Sequence, residues 1–185
     1  MNMKIIYSLI VVVSLLTSCS NSYSPEIKVI DSLLVALDSS KTVLYNLDTG
    51  QVYRRIKTCT RNINYIYNND DTVNREQAFF IDDYSLCRKY YGKIAQKFPR
   101  LFEEIETVPK QLENLKRDLS KNLISQDKAA KFLAEEQRAA EIIVENILQI
   151  AERFKSLDKS FIESHEKILN LIQTIDSSKE ANPES

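Results

Sequence analysis

Tryptophan is missing from this chain, glycine occurs twice, proline four times and histidine once. Each shortage closes a route. Gly50 and Gly92 alone cannot build a phosphate-cradling glycine loop, and sheets joined by tight turns want more glycine than this. With His165 as the only histidine and no spaced Cys pair beside it, a converging set of metal ligands is not supplied. Any Ser-His-Asp or Cys-His nucleophile system would have to use that same residue, and no nucleophile sits on a glycine-containing elbow. Net charge is also nearly absent: 25 Lys and Arg stand against 26 Asp and Glu, so no global field points to nucleic acid or a membrane surface. Nothing in this inventory calls for a cofactor or a metal.

What is present is most specific at the N-terminus. Met1-Asn2-Met3-Lys4 is a short, weakly basic start, Ile5 to Leu16 is almost wholly apolar, and Leu16-Thr17-Ser18-Cys19 precedes a polar segment. This order of charged start, apolar middle and small residues is that of a cleaved secretory signal. The apolar run is shorter than the roughly 20 residues a membrane-spanning helix needs. Leu16-Thr17-Ser18-Cys19 resembles the lipobox of bacterial lipoproteins. That resemblance implies cleavage before Cys19, diacylglycerol on its sulfur and a further acyl group on its new amine. It covers the signal alone, and no family resemblance is seen in the rest of the chain. It implies a lipid-anchored protein of the cell envelope. Position 20 is Ser, not the Asp that holds many enterobacterial lipoproteins at the inner membrane, which favours the outer membrane in a cell with two membranes. No acidic run follows Cys19, which favours the periplasmic side. The expected organisation is a signal peptide over 1–18, a tether over 19–24, one helical domain over 25–177 and a disordered tail over 178–185.

Helical periodicity dominates the remainder. Ala140, Ile143, Ile147, Ile150, Phe154, Leu157, Phe161, Ser164, Ile168, Leu171 and Ile175 alternate three- and four-residue steps without a slip. That is a heptad seam over five repeats, on one helix from about 126 to 177 behind a Ser125 cap. The middle continues the pattern from Phe80 through Tyr84, Cys87, Tyr91, Ile94 and Phe98 to Leu119, with Asn74 and Gln77 placed to cap its start. Pro99 and Pro109 fall inside it, and the preserved phase predicts kinks, not reversals. The first arm should start at Ser24-Pro25-Glu26, with Ser capping, and carry Ile27, Ile30, Leu34, Leu37 and Leu44. Its stripe resumes after Gly50 at Val52, Ile56, Cys59, Ile63 and Ile66. Asp48-Thr49-Gly50 is either a break or a stutter. Residues 68–72 read as a turn, and 122–125 as a short link between antiparallel neighbours. Three arms of similar length follow, 25–68, 74–121 and 126–177. The expected fold is an all-α, elongated antiparallel three-helix bundle or coiled-coil rod. A compact four- or five-helix bundle is the alternative, should Gly50 and Pro99 reverse the chain.

Few constellations carry chemistry. Cys59 and Cys87 flank the 68–72 turn at similar distances, which puts them at similar height in an antiparallel hairpin and makes them candidates for a disulfide in an oxidising compartment. The acid pairs, such as Asp82/Asp83 and Glu103/Glu104, diverge by about 100° on a helix and read as solvated faces. His165 reads as a surface or boundary residue. Residues 51–100 hold ten Lys and Arg against five acids, and 101–185 hold twelve against seventeen. The favoured explanation is that basic and acidic helices pack side by side; the other is a basic surface for an anionic partner. If a functional surface exists, it is the basic aromatic end of the first hairpin: Arg54, Arg55, Arg61, Tyr65, Tyr67 and Arg88. Tyr and Arg are enriched where proteins dock. The expected role is a non-enzymatic interaction or structural module, tied to a membrane through its anchor and meeting an envelope protein partner, with no nucleic acid. A ligand-binding, immunity or inhibitor protein, or an adhesin, is the second reading, and an enzyme the third.

Overall fold

Every apolar stripe becomes the inner face of a helix. The computed structural model describes residues 23–70 and 73–181. The signal, the Cys19 motif, most of the tether, Asp71-Thr72 of the turn and residues 182–185 lie outside the described residues. The described residues form four helices: α1 Ser24–Asn46, α2 Thr49–Asn69, α3 Arg75–Ser120 and α4 Gln126–Ala181. No strand occurs among the described residues, and the protein is an all-α bundle.

The helix count is four where the favoured expectation was three, and the reason is local. Leu47 turns extended (ψ 124°), and Asp48 starts α2 by accepting the Gln51 N–H at 2.8 Å. The break is therefore an aspartate cap and not Gly50, which lies inside the first turn of α2. It does not reverse the chain. α1 and α2 each pack on both α3 and α4 and do not touch each other. Tyr23, at the start of α1, donates its hydroxyl to the Ile124 carbonyl in the α3–α4 link, whereas Asn69, at the end of α2, meets Lys179 near the end of α4. The layout is thus three arms, up-down-up, with the first arm in two pieces. We call the Tyr23/Ile124 end the foot and the Asn69/Lys179 end the tip.

The caps explain the bounds. Asn74 and Gln77 form the reciprocal capping box expected at the start of α3, at 2.9 and 2.7 Å. Ser24 does not cap α1; it is the first helical residue, and Tyr23 before it makes no side-chain cap. α3 runs through Pro99 and Pro109, each withdrawing one donor from the helix ladder without ending it. It closes at Asn122, the one non-glycine residue with positive φ (53°) among the described residues. There Leu123 N bonds Asp118 O and Asn122 N bonds Leu119 O, the paired bonds of a left-handed C-terminal cap. α4 continues to Ala181, four residues beyond the predicted end at 177.

The core is one continuous file. Ile147, Phe161, Ile168, Ile105, Leu112, Leu119, Ile30, Leu37 and Leu44 are all fully buried. The predicted seam of α4 is buried except at Phe154 and Leu157, which pack against its edge half-exposed. On α3, Ile81 takes the inner position expected for Phe80. Among the described residues no helix is long and apolar enough to cross a membrane.

Candidate functional site

α2 brings cations to the upper half of the bundle, three of its four on the exposed side. It carries Arg54, Arg55, Lys57 and Arg61 and no carboxylate. Its buried face is Val52, Cys59, Asn62, Ile63 and Ile66. Arg54, Lys57 and Arg61 follow at helical spacing on the exposed side, beside Tyr53 and Tyr67, which are 54% and 58% exposed.

The six residues singled out from sequence separate into two sets. Arg54, Arg61 and Tyr67 face solvent. Arg54 is held by the cap residue Asp48 at 2.8 Å, and Arg61 donates to Asn62 Oδ1 at 3.3 Å. Arg55, Tyr65 and Arg88 turn toward the neighbouring helices. Arg55 pairs with Asp158 of α4 at 3.1 Å and lies over the Phe161 ring at 4.0 Å. Tyr65 donates to Asp176. Arg88 is half-buried on α3, where its charge reaches Cys59. Side-by-side neutralisation of basic and acidic helices, the favoured explanation of the charge asymmetry, is seen for residues 51–100 at Arg55–Asp158, whereas Arg54–Asp48 and Arg100–Glu104 stay within one arm.

Of the inward set, Arg55 belongs to a polar layer that the sequence did not reveal. Phe161 is its centre, with Tyr84, Tyr91 and His165 packed around it at ring separations of 5.4, 6.1 and 4.8 Å. Asp158 Oδ1 accepts from Gln51 at 3.1 Å, Arg55 at 3.2 Å and Tyr91 at 3.2 Å. The Tyr84 hydroxyl lies 2.7 Å from His165 Nδ1 and accepts from buried Asn62 at 3.4 Å. The tautomer sets the roles in this bond: Nδ1 accepts from Tyr84 when the ring proton is on Nε2 and donates to it when the proton is on Nδ1. Burial, and then the charges of Arg55 and Arg61, push the His165 pKa down, so the ring is neutral at pH 7. Burial, and then the neighbouring thiol and carboxylate respectively, push Tyr84 and Tyr91 far up, so both hydroxyls stay protonated. The chemistry available here is internal: donors and acceptors from three arms satisfy one another.

Cys59 and Cys87 lie in the same region, as their spacing predicted, but the disulfide that the sequence allowed is not formed. Both thiols are free and buried. Cys59 lies beside the Tyr84 hydroxyl and Cys87 beside Ser164. Burial lifts the Cys59 thiol to about 11 and raises Cys87 as well, so neither is a nucleophile at neutral pH. His165 is the boundary residue expected. No cluster of His, Cys, Asp and Glu able to hold a metal occurs among the described residues.

Sequence reasoning missed Tyr53, Asn62, Asp158 and the role of His165. Asn62 had a readable signal, an amide on the apolar face between Cys59 and Ile66. Asp158 had none, because its partners lie 67 to 107 residues away. The fold and this layer define an all-α bundle with one basic, tyrosine-flanked outer face. Comparison with protein-family models, curated proteins and solved structures finds no match.

Proposed function

We propose that this chain is a lipid-anchored envelope protein that acts without catalysis, as a helical rod presenting an interaction surface to a protein partner. The observation that carries the reading is an opposition along the rod. α1 begins at the foot, five residues after Cys19, and α2, with the outward cations Arg54, Lys57 and Arg61, lies toward the tip. Five residues span at most about 18 Å, so an acylated Cys19 keeps the foot close to its bilayer. α3, at 46 residues, then carries the tip roughly 70 Å outward. Two or more acyl chains on one cysteine hold far more firmly than one, each buried CH₂ adding about 0.8 kcal/mol. In a cell with two membranes the outer one is the favoured site, facing the periplasm.

The test is crosslinking of the lipidated protein in native membranes, followed by mass spectrometry of the complex and of its N-terminal peptide. The expected result is an acylated Cys19 and a recovered partner. That partner's yield should fall when Arg54, Lys57 and Arg61 are changed to Glu. An unmodified N-terminus, or no crosslinked partner at all, would sink the reading.

A further inference from the structure

A second surface lies between α3 and α4, in the groove that α1 and α2 leave open. At mid-height it forms a cavity of about 430 Å³ floored by Ile94, Ile150 and Leu157. Its rim holds Lys93, Lys97 and Arg153 and no carboxylate. None of these three forms an ion pair among the described residues; Lys93 only rests over the Tyr90 ring, 5.4 Å from its centre. The α3 stretch from Tyr84 to Phe102 carries five cations and no acid, so the rim is not neutralised from its own helix either. The groove continues toward the tip past Tyr90, Leu86 and Phe80 to Phe79, where Asp83 and Glu163 stand beside Lys167 and the charge is mixed. Phe79, Leu86 and Tyr90 are 61%, 44% and 48% exposed, which is heavy exposure for large apolar side chains at helical spacing.

We infer that this groove docks an acidic amphipathic helix of a partner protein, as a fourth member of the bundle. The inference rests on the reading of the chain as an interaction rod and adds, beside the outer face of α2, a second place where a partner is held and the chemistry that holds it there. The open, elongated form suits a helix: residues 79 to 97 of α3 span about 27 Å, or five helical turns. Apolar positions of the guest cover Ile94, Leu157 and Leu86, and its acids meet Lys93, Lys97 and Arg153. A second copy of this chain is disfavoured. The three cations lie close to the middle of the rod, some 40 Å from the foot for Arg153, so a fully overlapped antiparallel pair would set them against themselves. A bilayer carrying the anchor is disfavoured by the same height.

The probe is a fluorescein-labelled three-heptad peptide with Leu at a and d and Glu at e and g, titrated onto the chain from Ser20 onward and read by anisotropy. Binding is expected, weakening with salt and falling about tenfold or more in the K93E/K97E/R153E variant. Ser160→Trp, which fills the groove without altering its charge, should weaken binding comparably. The same peptide with Lys at e and g should not bind. Circular dichroism melts of both variants establish that they are folded. The inference is overturned if the Glu peptide fails to bind or binds no better than the Lys peptide, or if both folded variants bind as the parent does. It is equally overturned if the triple reversal instead abolishes a dimer seen by light scattering or binding to anionic vesicles. In the membrane crosslinking experiment, a partner still recovered by K93E/K97E/R153E removes the groove alone, while no partner for the parent protein removes the wider reading.

Discussion

The two halves of this rod solve the same packing problem with different materials. Below the Leu47–Asp48 break, α1 lies on the lower parts of α3 and α4 through aliphatic layers: Ile30, Leu37, Leu44, Ile105, Leu112 and Ile147. Its cross-arm ion pairs, Lys41–Glu106 and Lys116–Asp31, sit at the exposed edge. Exposed pairs of this kind contribute little, about 0–1 kcal/mol each. Above the break, α2 closes over aromatic rings, two thiols and a hydrogen-bonded layer centred on Phe161. Aliphatic layers are tolerant of a one-heptad slip, because each resembles the next. A layer in which Asn62, Tyr84 and His165 must meet is satisfied in one register only. Both halves bury apolar side chains, and the upper half fixes which heptad faces which.

The comparison can be broken most forcibly from below. Ile147→Ala removes a fully buried side chain from the aliphatic half, and a loss of about 2–5 kcal/mol in unfolding free energy is expected from denaturant melts. An effect below 1 kcal/mol would mean that the half is loosely packed. In the upper half, Tyr84→Phe keeps the ring against Phe161 but removes the hydroxyl shared by Asn62, His165 and Cys59. A smaller loss of about 1–3 kcal/mol is expected, since Asn62 and His165 lose a hydrogen-bond partner. A neutral result would show that the layer contributes register without stability.

The smallest effect is the dependence on acid. His165 has its pKa lowered by folding, so below the ordinary value of 6.5 the unfolded chain takes up a proton that the native ring resists. Stability from this residue is fully present above pH 6.5 and falls as the pH drops toward the lowered native value. His165→Gln should abolish that slope while leaving the deeper acid losses of Asp48 and Glu106, whose pKa values folding lowers, in place. An unchanged pH profile in His165→Gln would assign the slope elsewhere.

Much of the fold was legible because a 3.6-residue period writes itself directly into the spacing of apolar residues. The α4 seam from Ala140 to Ile175 and the α3 seam from Tyr84 to Leu119 could be read one residue at a time. The capping box at Asn74 was legible for the same reason, both partners lying within one turn. The interrupted first arm was not, because a stutter and a break leave the same stripe, and only the extended ψ at Leu47 separates them. Phe80 and Ile81 are adjacent and both apolar, so which one turned inward was beyond the pattern. The split of the basic residues was also hidden. Arg54 and Arg55 are neighbours in sequence, yet one faces solvent and the other reaches Asp158, a partner 103 residues away.

The joint at Leu47–Asp48 has a mechanical meaning. Because α1 and α2 share no contact, neither braces the other, and each is clamped by the two long helices alone. A load taken up by α1 spreads sideways into α3 and α4 along its length, and it passes to α2 through them and through the two-residue Leu47–Asp48 link. The first arm is thus a pair of splints on a two-stranded shaft, joined to each other through one short link.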